Sequence, residues 1–295
     1  MRRRSSSPES AAVAATGPDS PKDFPAVRQT AVEVCGGIEG APGQDLVAEE
    51  VPVAMVYNGV SHAVMMASPC DLEDFALGFS LTEGVLDRPD QLFQLDVVMV
   101  EDGISIEMHI AGECFARLRK QRRNMTGRTG CGLCGTESLA HAVRAIPRVP
   151  IHTVPGDELV QQALRNLRNH QPLQKQTGAT HGAAWCDNQG RIELAREDVG
   201  RHNALDKLIG ARTREFGDTA FDDGFALISS RASFEMVHKS ASVGIRCLVA
   251  VSAATALAVR EAGKAGMTLI GFARPGRHVI YNRGDDQPSE ECEDE

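Results

Sequence analysis

Ile104, Ile106, Met108 and Ile110 alternate with polar neighbours, the period-two pattern of a half-buried strand. Leu95–Val100 precedes it, joined through Glu101-Asp102-Gly103, and the two form a hairpin. A stronger hairpin signal lies upstream, where Val51–Tyr57 and Val60–Ala67 flank Asn58-Gly59. That dipeptide supplies the two positive-φ positions of a type I′ turn. Between the hairpins Leu72, Phe75, Ala76 and Phe79 share one helical face, with Asp71 as N-cap and Gly84 as stop. Further helices are expected from Thr136 to about Arg144 and from Glu158 to about Asn169, the latter striped by Leu159, Val160, Ala163, Leu164 and Leu167.

The last third alternates strand and helix. Strands are expected at Gly182–Cys186, Ile192–Ala195, Phe225–Ser229, Arg246–Ser252 and Thr268–Phe272. Helices fall at Asn203–Ala211, Ser233–Val243 and Ala254–Gly263. This alternation predicts an α/β fold with a mostly parallel sheet, covered by helices and binding ligands at the carboxyl ends of its strands. The chain then divides into a Ser/Pro/Ala-rich disordered tail (1–25), a smaller N-terminal α+β domain (26–120), a second domain (121–284) and an acidic tail (285–295), with a soft boundary near 112–128.

Of 295 residues 42% are hydrophobic and 24% charged, the balance of a water-soluble globular protein. The net charge of −9 argues against nucleic acid or anionic membrane as a partner, but seven acids lie in the last eleven residues. The body between the tails is close to neutral. Residues 115–128 carry six cations and no acid, which suits either an anionic partner or a solvated helix face. The apolar stretch at Ala11–Ala15 is too short for a secretion signal, and the 247–259 window reads as strand plus helix rather than a span. Eight cysteines in a chain this long do not make a disulfide scaffold, so a reducing cytoplasm is the expected location.

Only Cys131 and Cys134 form a C-x-x-C, inside Gly127-Arg-Thr-Gly-Cys-Gly-Leu-Cys-Gly135. A cysteine just before a helix and near Arg128 has a lowered thiol pKa, and the thiolate serves metal binding, disulfide exchange and sulfur transfer alike. No second C-x-x-C and no H-x₃₋₅-H completes a zinc site, so zinc requires scattered or dimer-shared ligands and no metal is assigned. A mobile glycine-rich loop suits sulfur carriage best. Three further clusters sit where strands meet helices or turns. Arg196–Asn203 offers helix caps and salt bridges or, through Arg196, Arg201 and His202, an anion site. Ser229–Ser233 offers an N-cap or a phosphate site, and Phe272–Arg277 projects two arginines from a Pro-Gly turn.

Taken together, VYNGVSHAVMMASPCDLEDFALGFSLTEG (56–84), GRTGCGLCG (127–135), TGATHGAAW (177–185), REDVGRHNALDK (196–207), SSRASFEMVHKSA (229–241) and LIGFARPGR (269–277) resemble the formate dehydrogenase accessory sulfurtransferase family. The resemblance spans about residues 45–283. It implies a cytidine-deaminase-like three-layer second domain without the deaminase zinc ligands. It further implies a cytoplasmic, homodimeric sulfurtransferase that takes sulfur from a cysteine desulfurase as a persulfide. That sulfur goes to the molybdenum cofactor, bis(molybdopterin guanine dinucleotide), before its insertion into formate dehydrogenase. Carried over residue by residue, the persulfide cysteine maps to Cys131, with Cys134 as second carrier or resolving thiol. The guanine dinucleotide segment maps to Phe272, Ala273, Arg274, Pro275, Gly276 and Arg277, for which a guanine nucleotide is a surrogate ligand. His202, Ser229 and Arg231 are second-rank pocket candidates.

Overall fold

The computed structural model describes residues 24–35, 41–126 and 146–284. The expected tails (1–23 of the first, all of 285–295), the Thr136–Arg144 helix, Cys131 and Cys134 lie outside the described residues.

A two-stranded antiparallel ribbon comes first, β1 (Val27–Val34) with β2 (Ala41–Ala48). Next is a four-stranded sheet of order β4-β3-β6-β5, built from β3 (Val51–Tyr57), β4 (Val60–Ala67), β5 (Leu92–Val100) and β6 (Gly103–Ile110). The Asn58-Gly59 hairpin forms as its sequence requires, with φ of 46° and 76° at the two turn residues. Helices α1 (Leu72–Thr82) and α2 (Gly112–Thr126) pack on this sheet. Val53, Met55, Tyr57, Phe75, Ile106 and Leu118 form the centre of that core. Helix α2 runs across the division expected at 120, and through Cys114 and Leu118 the basic segment buries one side of its first half in the N-terminal core. Asp71 precedes α1 with φ of 52° and makes no side-chain cap, contrary to the sequence expectation. Its carbonyl, not its carboxylate, accepts the Phe75 N–H at 2.9 Å.

The second sheet has six strands in the order β12-β11-β10-β9-β7-β8. They are β7 (His181–Cys186), β8 (Ile192–Asp198), β9 (Phe225–Ile228), β10 (Cys247–Ala250), β11 (Thr268–Arg274) and β12 (Arg277–Arg283). The expected mostly parallel sheet is corrected here: only the β9–β10 and β10–β11 pairings are parallel, and the other three are antiparallel. The cause is connection length. Short turns join β7 to β8 and β11 to β12, and such turns reverse the chain, whereas helical crossovers carry it in parallel from β8 onward.

Those crossovers are α5 (Arg201–Phe216), α6 (Phe234–Ser242) and α7 (Ala256–Ala265). They cover one face, where Leu205, Leu208, Met236, Val237, Ala258 and Ala262 meet Ala226, Ile228, Leu248 and Leu269. The other face carries Phe225, Leu227, Val249 and Ile270 against α3 (Asp157–Leu167), followed by the short α4 (Pro172–Thr177). Two covered faces explain why β9, Phe-Ala-Leu-Ile, is apolar throughout. The result is a three-layer sandwich.

The two halves meet along α1 and α5, whose backbones touch. A Cβ at Gly78 would overlap the Asp206 carbonyl, and one at Gly210 the Asp74 carbonyl. Around this crossing lie buried charges, each with a partner from across the seam. Lys207 and Asp198, both fully buried, pair at 2.7 Å, and Lys207 also donates to the Ser68 carbonyl at 3.0 Å. Asp198 accepts the Ser68 N–H at 2.9 Å. Lys239 joins Asp206, Glu83 and Thr82 at 2.9 Å each, and Arg196 and Arg214 converge on Asp74 at 2.8 and 2.7 Å. Burial alone would neutralise Lys239, but Asp206 and Glu83 raise its pKa and keep it charged.

Breaking a buried pair leaves an uncompensated charge, so Lys207→Met is expected to cost about 3–5 kcal/mol. The urea midpoint should drop sharply, and Asp198→Asn/Lys207→Met should recover part of the loss. Equal midpoints for wild type and the single variant would contradict this role.

Candidate functional site

Because β7 runs opposite to β8, β9, β10 and β11, its first residue lies at the edge where those four strands end. The N-termini of α5, α6 and α7 open onto this same edge, following β8, β9 and β10 in turn. Unsatisfied N–H groups and helix dipoles make such an edge favourable to anions. Backbone hydrogen bonds tie its loops into one rim. Val251 N–H donates to Ile228, Ala232 N–H to Ala253 and Phe272 N–H to Ser252, at 2.9–3.0 Å.

Sequence reasoning left the Arg196–Asn203 cluster open between structural and ligand roles, and the structure divides it. Arg196 is committed to Asp74, and Asp198 to Lys207. Asn203 donates to the Met66 carbonyl at 2.8 Å, across the seam. Gly200, not Asp198 or Asn203, is the N-cap of α5. Arg201 and His202 instead turn toward the first turn of α6. There the Glu235 carboxylate accepts from His202 Nε2 at 2.9 Å and sits 3.9 Å from Arg201. His181, the first residue of β7, pairs in register with Asp198 and feels the charge of Arg201. It was not among the sequence candidates. It lies within TGATHGAAW (177–185), one of the segments that carry the resemblance, but no role was assigned to it there.

Burial lowers the pKa of both His181 and His202, and the Arg201 guanidinium lowers each further. For His202 the Glu235 carboxylate opposes that shift without overcoming it.

In the Ser229–Ser233 cluster, the Ser229 hydroxyl accepts the Gly182 N–H at 2.9 Å and thereby fixes the loop to β7. Arg231 is exposed. Ser233 is the N-cap residue of α6, yet its hydroxyl makes no capping bond, and Oγ is buried without a partner.

The expected Phe272–Arg277 segment is the end of β11, a Pro275-Gly276 turn and the start of β12, a strand the sequence reading missed. Phe272 has φ of 46° although it is not glycine, a strain of about 1–3 kcal/mol. Its ring is half-buried with the Arg274 guanidinium 5.9 Å from the ring centre. Arg274 and Arg277 are exposed, and the Gly276 N–H donates to Gln161 Oε1 at 2.8 Å. Ala273 is fully buried in the core under α3, so its side chain meets no ligand.

Four of the described thiols are poor nucleophiles. Burial pushes Cys70, Cys114, Cys186 and Cys247 upward, with Lys207 partly opposing the shift at Cys70. Cys35 is exposed. Among the described residues there is no group of three potential metal ligands, and no helix is long and apolar enough to cross a membrane.

Fold and edge define an α/β protein with a cation-lined, helix-capped rim suited to an anionic ligand. The FdhD/NarQ family model matches residues 48–286, and the chain belongs to that family. It is 52% identical over 252 residues to the sulfur carrier protein FdhD of Bordetella petrii, covering 85% of this chain and 90% of that one. With the protein of the same name from Cupriavidus necator it shares 53% identity over 237 residues, 80% of this chain and 82% of the relative. A crystal structure from Desulfotalea psychrophila, described as a formate dehydrogenase accessory protein, superposes with a TM-score of 0.66. That pair is 23% identical and covers 88% of this chain and 97% of the other, so it speaks for the fold.

Two histidines with depressed folded pKa values bind fewer protons than they do in the unfolded chain. Stability therefore falls as pH drops through the ordinary value of 6.5. In NMR titrations the His181 and His202 rings should titrate with midpoints below 6.5, and His181→Gln should flatten the acid side of the stability profile. Midpoints above 6.5 would contradict the assigned environment.

Proposed function

We propose that this chain is a cytoplasmic sulfurtransferase, a sulfur carrier that matures the molybdenum cofactor of formate dehydrogenase. The observation that carries the reading is identity at about half of all aligned positions with proteins named sulfur carrier. In this reading the Cys131 thiolate attacks the terminal sulfur of a cysteine desulfurase persulfide. The donor S–S bond breaks, the desulfurase thiolate leaves, and a persulfide forms on Cys131. Attack of Cys134 on the inner sulfur then closes a Cys131–Cys134 disulfide and releases sulfide to the molybdenum. A single transfer balances in this way, and each further cycle consumes one dithiol reductant that returns the Cys131–Cys134 disulfide to two thiols.

The client, bis(molybdopterin guanine dinucleotide), is a substrate with two anionic nucleotide arms. The cation-lined rim supports its binding. Phe272 offers an aromatic face, and Arg274 and Arg277 offer exposed guanidinium groups on the same hairpin. A homodimer gives each arm its own rim. The three-layer sandwich supports the cytidine-deaminase-like reading of the second domain, and the thiol chemistry replaces the zinc chemistry of that fold.

The alternative is a chaperone that binds and escorts the cofactor without touching sulfur. Cys131→Ala separates the two in cells, with formate dehydrogenase activity as the measurement. The carrier reading expects activity to fall to background while the dehydrogenase polypeptide still accumulates. Full activity in that variant would assign the protein to the chaperone class.

A further inference from the structure

The tip of the β11–β12 hairpin carries the exposed Arg274 and Arg277 on a turn that its own strands hold poorly. The ladder breaks between Gly271 and Arg274, where Phe272 takes its left-handed φ, and resumes only at the Arg274–Arg277 pair. Pro275 followed by Gly276 at φ of 81° is the type II pairing, whose twist does not match that of the flanking strands. Support comes from α3. The Gly276 N–H donates to Gln161 Oε1 at 2.8 Å, which leaves Gln161 Nε2 to donate to His278 Nδ1 at 3.4 Å. With Nδ1 as acceptor, the imidazole proton sits on Nε2, which faces Asp157 Oδ1 at 3.2 Å. The His278 side chain is only 7% exposed, and Asp157 and Gln161 stand one helical turn apart on α3. Every donor in this chain points the same way, from the turn through Gln161 and His278 to the Asp157 carboxylate, an order in which each bond strengthens the next.

We propose that Gln161, fixed by His278 and Asp157, is a positioning residue that latches the Pro275-Gly276 turn and so holds Arg274 and Arg277 in place for an anionic arm of the cofactor. The ligand rests on the function proposed above; the latch rests on these hydrogen bonds alone. Gln161 touches no ligand and acts through the Gly276 amide. A tip already held in one geometry loses less freedom when it closes on a phosphate, so the latch is felt as affinity.

The test uses the full chain, with hydrogen exchange of the Gly276 amide followed by NMR and calorimetric titration of guanosine diphosphate. Gln161→Met keeps the length of a half-buried side chain and removes both of its polar groups, so the melting temperature should change little. Gly276 exchange should nevertheless accelerate severalfold, and guanosine diphosphate affinity should fall roughly two- to tenfold, the worth of one neutral hydrogen bond. His278→Phe keeps a ring and removes the acceptor that orients Gln161, so its loss should be smaller, with none added when the two changes are combined. In an Arg277→Ala background Gln161→Met should cost less affinity than it does in the wild type, because one of the groups it positions is gone.

Unchanged Gly276 exchange in Gln161→Met would overturn the latch. Faster exchange with wild-type affinity for guanosine diphosphate, or an undiminished loss in the Arg277→Ala background, would overturn the positioning role. No binding of guanosine diphosphate by the wild type would overturn the nucleotide reading of the hairpin and the positioning role with it, while Gly276 exchange still decides the latch. Persulfide loading of Cys131 is a separate readout, so failure of the carrier function is distinguishable from both.

Discussion

The crossing of α1 and α5 is the contact on which the rest of the molecule depends. Gly78 and Gly210 let the two helix backbones meet, at a distance that a single methyl group on either would forbid. Close approach forces the polar groups nearby to be satisfied within the seam. Asp74, Asp198, Asp206, Lys207 and Lys239 therefore find ion-pair partners there rather than in water. Such pairs contribute little net stability compared with apolar packing, yet losing one member is severe, so they fix how the two halves register.

That registration sets the rim. Asp198 ends β8 and is held by Ser68 and Lys207, and the chain turns through Gly200 directly into α5. Arg201 and His202 thereby start α5 facing α6, beside His181 from the reversed strand β7. The residues committed to the seam and those available to a ligand are neighbours in one short sequence, Arg196 to Lys207, with opposite assignments. Burial and the Arg201 guanidinium lower the pKa of both imidazoles, and Arg201 itself carries a positive charge in the corner that does not titrate. Arg274 and Arg277 supply further charge two strands away.

Much of this was legible from pattern. The Asn58-Gly59 hairpin, α1, and the strand–helix alternation after Phe225 follow from local periodicity and turn chemistry, and they appear within a few residues of their expected bounds. The direction of the sheet was not legible. Strand pairing depends on tertiary neighbours, and the antiparallel strands β7 and β12 enter through short turns that composition alone does not orient. Asp71 looked like a cap, but its backbone is left-handed and its carbonyl serves instead. The split of Arg196 from Arg201 was equally hidden, because the partner that claims Arg196, Asp74, lies 122 residues away in sequence. His181 gave no periodic signal at all. By contrast, the unusual hydroxyl and cation content of Ser229–Ser233 and Phe272–Arg277 did mark positions on the rim.

In the proposed function sulfur travels on Cys131, and the strand-end rim takes the anionic arms of the cofactor. Mass spectrometry of the Cys131 peptide, after incubation with a cysteine desulfurase and cysteine, tests it most directly. One added sulfur atom is expected on Cys131, removable by a thiol reductant and absent from a Cys131→Ala variant. Stoichiometric zinc with no sulfur on Cys131, or sulfur carried by Cys35 or Cys70 instead, would contradict it.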